Sequence, residues 1–417
     1  CRFSTATINR DGERIPLSQK TRENLEKKYD YYGASGVIDK VDKYLFNERL
    51  LLIGEDGANL ITRSKPIAFI ANGLYWVNNH AHVLQAPTAV LLDYLCFFIN
   101  AIPLDKYVTG SAQPKMTQDK MNTILIPLPP LAEQQRIVEQ IETLLGYVDI
   151  IDTDVETLEK SVTLAKQKIL DLAIRGKLVP QDPSDEPASE LLKKIKAEKD
   201  ALIKAGKIKR DKYESFIFKG DDNCYYEKVG KNEPVLLENL PFDIPDSWCW
   251  ARLENAANIN PRNNINDNLD VSFVEMKSIM DGFNNAFCYK KRKWRDVKSG
   301  FTHFKNGDVG FAKITPCFQN RKSVVFHGLE NCYGAGTTEL HILRAYSDTI
   351  FSAYLLYFVK SPYFIEHGKI NFSGTAGQQR FGTDAVKHTF IPIPPHNEQI
   401  RICNQIEIML GKLKDEN

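Results

Sequence analysis

The feature that most constrains this chain is an unbroken heptad pattern near its middle. Apolar residues stand at Ile137, Ile141, Leu144, Val148, Ile151, Val155, Leu158, Val162, Ala165, Ile169 and Leu172, in alternating steps of four and three. A strict seven-residue repeat sustained over five turns of the pattern is a coiled-coil seam rather than the apolar stripe of an ordinary surface helix. Ile137 and Leu172 lie 35 residues apart, about 50 Å of helix at roughly 1.5 Å per residue. Pro129 and Pro130 precede the pattern, and Gly176 and Pro180 follow it. These are start and stop signals for one rod-like helix over residues 131–177. A seam of this kind needs a partner.

The partner is expected from a second copy of the same unit. Ile126-Pro127-Leu128-Pro129-Pro130 recurs as Ile391-Pro392-Ile393-Pro394-Pro395, 265 residues later. Glu133-Gln134, Arg136-Ile137 and Gln140-Ile141-Glu142 reappear at the same offset as Glu398-Gln399, Arg401-Ile402 and Gln405-Ile406-Glu407. The seam restarts at Ile402, Ile406 and Met409 before the chain ends at Asn417. Upstream, His82-Val83-Leu84-Gln85-Ala86 matches His341-Ile342-Leu343-Arg344-Ala345, and Tyr94-Leu95 matches Tyr354-Leu355. A polar loop from Gly110 to Lys115 echoes one from Gly374 to Arg380. The order is kept while the offset drifts, as loop insertions produce. The period is far too long for a solenoid. It describes a duplicated unit, a globular domain followed by a long helix, and hence a molecule with a pseudo-two-fold plan.

The expected division is residues 1–130 and 242–395 as the two globular domains, residues 131–177 and 396–417 as the helices, and residues 178–241 as a connector. Within the first domain, residues 50–53, 68–70 and 76–77 read as strands and residues 91–102 as a buried helix. In the second, residues 271–274, 309–311, 323–326 and 340–343 read as strands and residues 350–359 as the matching helix. The fold class is therefore α+β. The connector has a charged helix over residues 188–204 and a loose stretch over residues 206–230. The chain begins at Cys1 and its first domain is shorter than its second, so a short N-terminal piece is expected to be missing. The second helix is expected to be cut or short by nature.

Composition narrows the function classes. Net charge is +1, so the chain as a whole is no generic polyanion binder and a nucleic-acid surface must be local. No run of about 18 apolar residues suggests a membrane span. The eight Cys are scattered without a C-x-x-C pair, which argues against a disulfide framework or zinc site and for the cytoplasm. Catalytic motifs are missing. There is no phosphate-binding glycine loop with a Lys. Gly334-Ala335-Gly336 lacks the third glycine and the helix of a dinucleotide site. No Asn/Asp-Pro-Pro-aromatic run for holding a flipped adenine is present. His80 and His82 are spaced to share one strand face, but no third metal ligand is evident, and hydrogen-bonded histidines are the simpler reading.

Basic clusters remain. Lys290-Lys291-Arg292-Lys293-Trp294-Arg295 interleaves charge with an aromatic ring. Lys313, Asn320, Arg321 and Lys322 gather around Thr315-Pro316. Gln378, Gln379 and Arg380 sit on one glycine-containing loop, and Gln113 and Lys115 on its repeat copy. Lys and Arg suit phosphates, while Arg on guanine and Gln or Asn on adenine give base readout. Equivalent placement in two domains is what favours duplex DNA over a chain that binds only proteins.

As a set, these motifs resemble the specificity subunit of type I restriction-modification enzymes. The resemblance is carried by Tyr31-Tyr32-Gly33-Ala34-Ser35-Gly36, Leu51-Leu52-Ile53-Gly54-Glu55-Asp56-Gly57-Ala58, Val77-Asn78-Asn79-His80-Ala81-His82, the Pro-Pro repeats, Ala173-Ile174-Arg175-Gly176-Lys177-Leu178-Val179-Pro180, Ala312-Lys313-Ile314-Thr315-Pro316-Cys317 and Thr338-Glu339. It implies two target recognition domains, each reading half of a bipartite DNA site. It implies long helices paired as an antiparallel coiled coil that separates them and docks two modification subunits. It further implies no catalytic centre and no cofactor in this chain. S-adenosylmethionine would sit on the modification subunits, which methylate adenine, and ATP and Mg on the restriction subunits.

Overall fold

The computed structural model describes residues 1–110, 113–206, 208, 215–346, 349–375 and 378–413. The chain divides into two compact units, residues 1–156 and residues 157–417.

The first unit is built on eight short strands: β1 (Ile8–Asn9), β2 (Tyr29–Gly33), β3 (Gly36–Val41), β4 (Phe46–Asn47), β5 (Leu50–Gly54), β6 (Ala68–Ala71), β7 (Leu74–Val77) and β8 (Ala81–Gln85). They form two four-stranded sheets, ordered β1-β8-β5-β6 and β3-β2-β7-β4. All pairs in the first sheet are antiparallel. In the second, β2 runs antiparallel to β3 and parallel to β7, and β4 is antiparallel to β7. Strand β5 is buried along its whole length, and strand alternation explains how. Leu51 and Ile53 enter one core with Leu84 and with Leu91, Leu92, Leu95 and Ile99 of helix α1 (Ala89–Ala101). Leu50 and Leu52 enter another with Tyr75, Val77 and Val83. Helix α1 begins where the Thr88 side chain accepts from Leu91 N, an ordinary N-cap.

Helix α2 (Leu131–Ile174) is 44 residues long. Its Val138 joins a core of the first unit, and its Ile169, Leu170, Ala173 and Ile174 join the main core of the second. Between these ends the seam positions differ in exposure. Ile137 and Ile141 are half-buried, Leu144, Val148, Ile151, Val155 and Leu158 are exposed, and Val162 and Leu172 are half-buried. Leu144 is 53% and Leu158 64% exposed.

After α2 come helix α3 (Ala188–Lys204) and the antiparallel strands β9 (Ser215–Lys219), β10 (Tyr225–Val229) and β11 (Val235–Leu236), in the order β11-β10-β9. All of β9 and all of β10 fall where the sequence suggests a loose stretch. Cross-strand side chains account for the order there. Phe218 stacks on Tyr226, ring centroids 5.9 Å apart, and Arg252 grips Glu227 at 2.6 Å.

The second unit repeats the two-sheet plan. Its further strands are β12 (Cys249–Arg252), β13 (Ala257–Ile259), β14 (Asp270–Val274), β15 (Lys290–Lys293), β16 (Thr302–Lys305), β17 (Val309–Ala312), β18 (Ser323–Val325), β19 (Tyr333–Gly336), β20 (Leu340–Ala345), β21 (Phe372–Ser373), β22 (Arg380–Phe381) and β23 (Phe390–Ile393). The sheet orders are β13-β20-β17-β18 and β15-β14-β19-β16. Strand for strand, they match the first unit, including the single parallel pair, β14 with β19. Helix α4 (Ser352–Lys360) takes the place of α1 and is followed by α5 (Pro362–Ile370). The Tyr354 hydroxyl donates to Pro392 O at 2.7 Å, and the Tyr94 hydroxyl makes the same bond to Pro127 O. Gln134 and Gln399 each donate Nε2 to a proline carbonyl five residues back, Pro129 O at 2.8 Å and Pro394 O at 3.0 Å.

The last helix, α6 (His396–Lys412), corrects part of the seam. Ile402 and Ile406 do not line an open helical face. They are buried in the main core of this unit with Tyr354, Leu355 and Phe358, a core shared with the last turns of α2. Met409 is half-buried at its rim. The first turns of α6 are pinned there because the buried Glu398 carboxylate accepts from Trp248 Nε1 at 2.9 Å and Gln181 Nε2 at 2.6 Å.

Candidate nucleic-acid interface

In each unit one polar loop returns to the central sheet at the same point. In the first, the backbone of Lys115 bridges to Asp56, just beyond β5, and Met116 N donates to Glu55 O at 2.8 Å. In the second, Arg380 bridges to Ile314, just beyond β17, and Phe381 N donates to Lys313 O at 2.9 Å. Lys115 and Arg380 are thus equivalent. Gly110 and Gly374 open the two loops at φ +87° and +109°, where a side chain is strained. Residues 111–112 and 376–377 of these loops lie outside the described residues.

Each loop cation meets a carboxylate. Lys115 Nζ lies 3.0 Å from Glu55 Oε1, and Glu55 Oε2 takes Arg14 Nη1 at 2.7 Å. Burial pushes the Glu55 carboxyl up, but Arg14 and Lys115 outweigh it and hold it below the ordinary value. Arg380 grips Glu339 with Nε and Nη2 at 2.9–3.1 Å. That hydrogen bond holds Glu339 below its ordinary value. Both cations keep N–H groups for a further acceptor, so each is a side chain steadied on one side and accessible on the other. Gln113 and Gln378 are exposed beside them, and Gln379 is half-buried with its carbonyl accepting from Thr315 N at 3.0 Å. Lys313 is half-buried at the base of the second loop. Asn320 is exposed, and its carbonyl accepts from Gly282 N at 2.8 Å.

Two expected contributors, Arg321 and Lys322, are turned to other work. Arg321, with φ +56°, sends Nε to Lys360 O at the end of α4, 3.0 Å away, and lays its guanidinium over Phe283. Arg63 does the same in the first unit: its φ is +50°, and it caps α1 through the carbonyls of Ile99, Asn100 and Ile102. Both serve orphan carbonyls at a helix C-terminus. Lys322 donates Nζ to Ile279 O at 2.7 Å. The basic run at β15 is also changed by its surroundings. Trp294 is 2% exposed and packs with Val271 and Val297, so no ring is offered for base stacking. Lys290, Lys291 and Lys293 pair with Glu275, Asp270 and Glu330, while Arg292 points to solvent.

Sequence reasoning reads His82 as a hydrogen-bonded histidine but misses its carboxylate partners beneath the first loop. Asp11, Glu55 and His82 bring three ligand-type atoms within 4.8 Å of one another. Each of these atoms has a protein partner, and Arg14 and Lys115 neutralise the carboxylates, so the cluster is a hydrogen-bond network and not a vacant metal centre. His80 and His82 do not act together: His80 pairs with Asp56 on the surface at 2.8 Å, and His82 is buried on Asp11.

Residues 6–160 match the family model of the type I restriction modification DNA specificity domain. Over 253 residues, 58% of this chain, the sequence is 44% identical to the specificity subunit of the type I restriction enzyme EcoAI from Escherichia coli. Residues 6–160 are thus similar to the DNA specificity domain of type I restriction-modification enzymes. The EcoEI specificity subunit, also from Escherichia coli, is 42% identical over 256 residues. The chain spans 40% of the length of each of these two members of the family. A solved structure concerned with complex assembly and conformational transition of the type I R-M system has the same fold. It matches at TM-score 0.52 and 15% identity, covering 99% of this chain and 90% of that one.

Proposed function

We propose that this chain is the DNA specificity subunit of a type I restriction-modification complex. Each two-sheet unit is a target recognition domain that reads one half of a bipartite duplex site. The domains comprise residues 1–130 and 242–395, with residues 178–241 as a connector. Helix α2 is the spacer, and it pairs as an antiparallel coiled coil with the helix that begins at residue 396. The exposed apolar face of α2 and this coiled coil dock two modification subunits, which bring S-adenosylmethionine and methylate adenine. Restriction subunits bring ATP and Mg. The chain itself is not an enzyme, and the complex works in the cytoplasm.

The observation that carries this reading is the duplication: the same two sheets, in the same strand order, each presenting a loop whose cation is steadied by a carboxylate. Two equivalent surfaces suit a duplex that offers itself again every helical turn, about 34–36 Å. Different loop residues in the two copies imply different half-sites. Gln113 and Lys115 in the first unit, and Lys313, Asn320, Gln378, Gln379 and Arg380 in the second, are the proposed contacts. Tethering two weak readers multiplies their affinity without new contacts.

The test is to express the chain with its modification subunits in a host lacking adenine methylation and to sequence methylated adenines. A split motif with a fixed gap is expected. Methylation without a split motif, or none with all subunits present, would refute the proposal.

A further inference from the structure

His82 in β8 and His341 in β20 hold the same place in the two units. His82 stands opposite Ile53 of β5, and His341 opposite Phe311 of β17. Both are buried. Each aims Nε2 at the carbonyl of the residue after the loop cation: Met116 O at 2.9 Å and Phe381 O at 2.8 Å. A carbonyl only accepts, so Nε2 carries the hydrogen in both rings.

The other ring nitrogen differs between the copies. Asn260 Oδ1 accepts from Ile342 N at 3.0 Å, which turns its amide nitrogen to His341 Nδ1 at 3.1 Å. His341 therefore accepts there and is neutral, in keeping with burial pushing it down to about 4. In the first unit Asp11 takes the place of Asn260. Its Oδ1 accepts from Val83 N at 2.8 Å, and its Oδ2 lies 2.6 Å from His82 Nδ1. His82 thus faces acceptors on both sides.

The residue that follows each loop cation is clamped twice. Its N–H goes to the carbonyl beyond β5 or β17, and its C=O takes the histidine. Slippage by one residue would move Lys115 or Arg380 by about 3.3 Å along the strand direction and break its ion pair with Glu55 or Glu339.

We propose that His82 and His341 are positioning residues that fix the register of the two DNA-reading loops, His82 backed by Asp11 and His341 by Asn260. This rests on the reading of these loops as DNA contacts. It assigns no contact with DNA to either histidine.

The test uses the full chain assembled with its modification subunits. Competition binding compares the cognate duplex with duplexes changed at one base pair of one half-site. His82→Leu is expected to lower discrimination about tenfold in one half-site only, and His341→Leu in the other only, as loss of a clamp of this kind implies. His341→Gln, whose amide reaches as far as Nε2, should restore discrimination to within about threefold, whereas His341→Asn, which is too short, should not. Where a leucine variant does not fold, this Gln-against-Asn comparison decides. The inference is overturned if folded variants keep wild-type discrimination in both halves, or lose it equally in both, or if Gln and Asn behave alike. If wild-type protein shows no preference for the cognate duplex, it is the DNA-reading proposal that falls instead.

Discussion

Helix α2 offers a ruler that can be cut. Residues 145–151 are one heptad in the middle of its 44 residues, and none of them is buried. Deleting them removes about 10.5 Å of helix at roughly 1.5 Å per residue, or about three base pairs at roughly 3.4 Å each. Seven residues turn an ideal helix to within about 20° of whole turns, so the faces at either end keep their phase. No apolar core is lost, so the melting temperature should stay within a few degrees of wild type. We predict that adenine methylation by the assembled complex moves to a site with the same two half-sequences and a gap shorter by up to about three base pairs. Sequencing of methylated adenines reads this directly. Methylation of the original site with its original gap, at the original rate, would show that α2 does not set the spacing.

Other perturbations address single side chains. Arg380→Ala should relax one position of one half-site if the guanidinium reads a base, and base-by-base methylation profiling would show it; uniformly weaker binding with a shallower salt slope would assign it to phosphate instead. Tyr354→Phe leaves the buried Pro392 carbonyl without its donor and should cost about 1–3 kcal/mol in urea unfolding; an unchanged midpoint would refute that role. Lys360 is buried, with Nζ donating to Gly282 O at 2.8 Å and Arg321 O at 3.0 Å. Burial first, then Arg321, lowers its pKa to about 7. An unfolded chain keeps this proton to about 10.4, so between those values the unfolded state binds more protons and this residue makes stability rise with pH. The stability of wild type relative to Lys360→Met should therefore increase from pH 7 to pH 10; a difference independent of pH would refute the assignment.

What the sequence made legible was decided by where each residue's partners lie. The run Leu50 to Ile53 could be read as a buried strand because both its faces are apolar, and both do meet cores. The duplication was visible in His82 and His341, Tyr94 and Tyr354, and Gln134 and Gln399. Each of these holds a backbone carbonyl, and such a role tolerates few side chains. Charges were harder, because a letter does not say which way a side chain turns. Arg321 and Arg380 look alike in sequence and stand in similar polar surroundings. Yet Arg321 follows a left-handed backbone inward to the end of α4, whereas Arg380 lies on a strand that returns its guanidinium to the surface beside Glu339. Trp294 was read as an aromatic among cations, and the four-residue strand before it turns the ring inside. Ile402 and Ile406 fit the heptad and also fit a globular core, since spacings of four satisfy either. The same ambiguity does not extend to Leu144 through Leu158. Among the described residues that stretch enters no core, and about 20 Å of exposed apolar helix at roughly 1.5 Å per residue is costly to leave in water. The docking role proposed for α2 would cover that face, and this argument rests on exposure and not on family likeness.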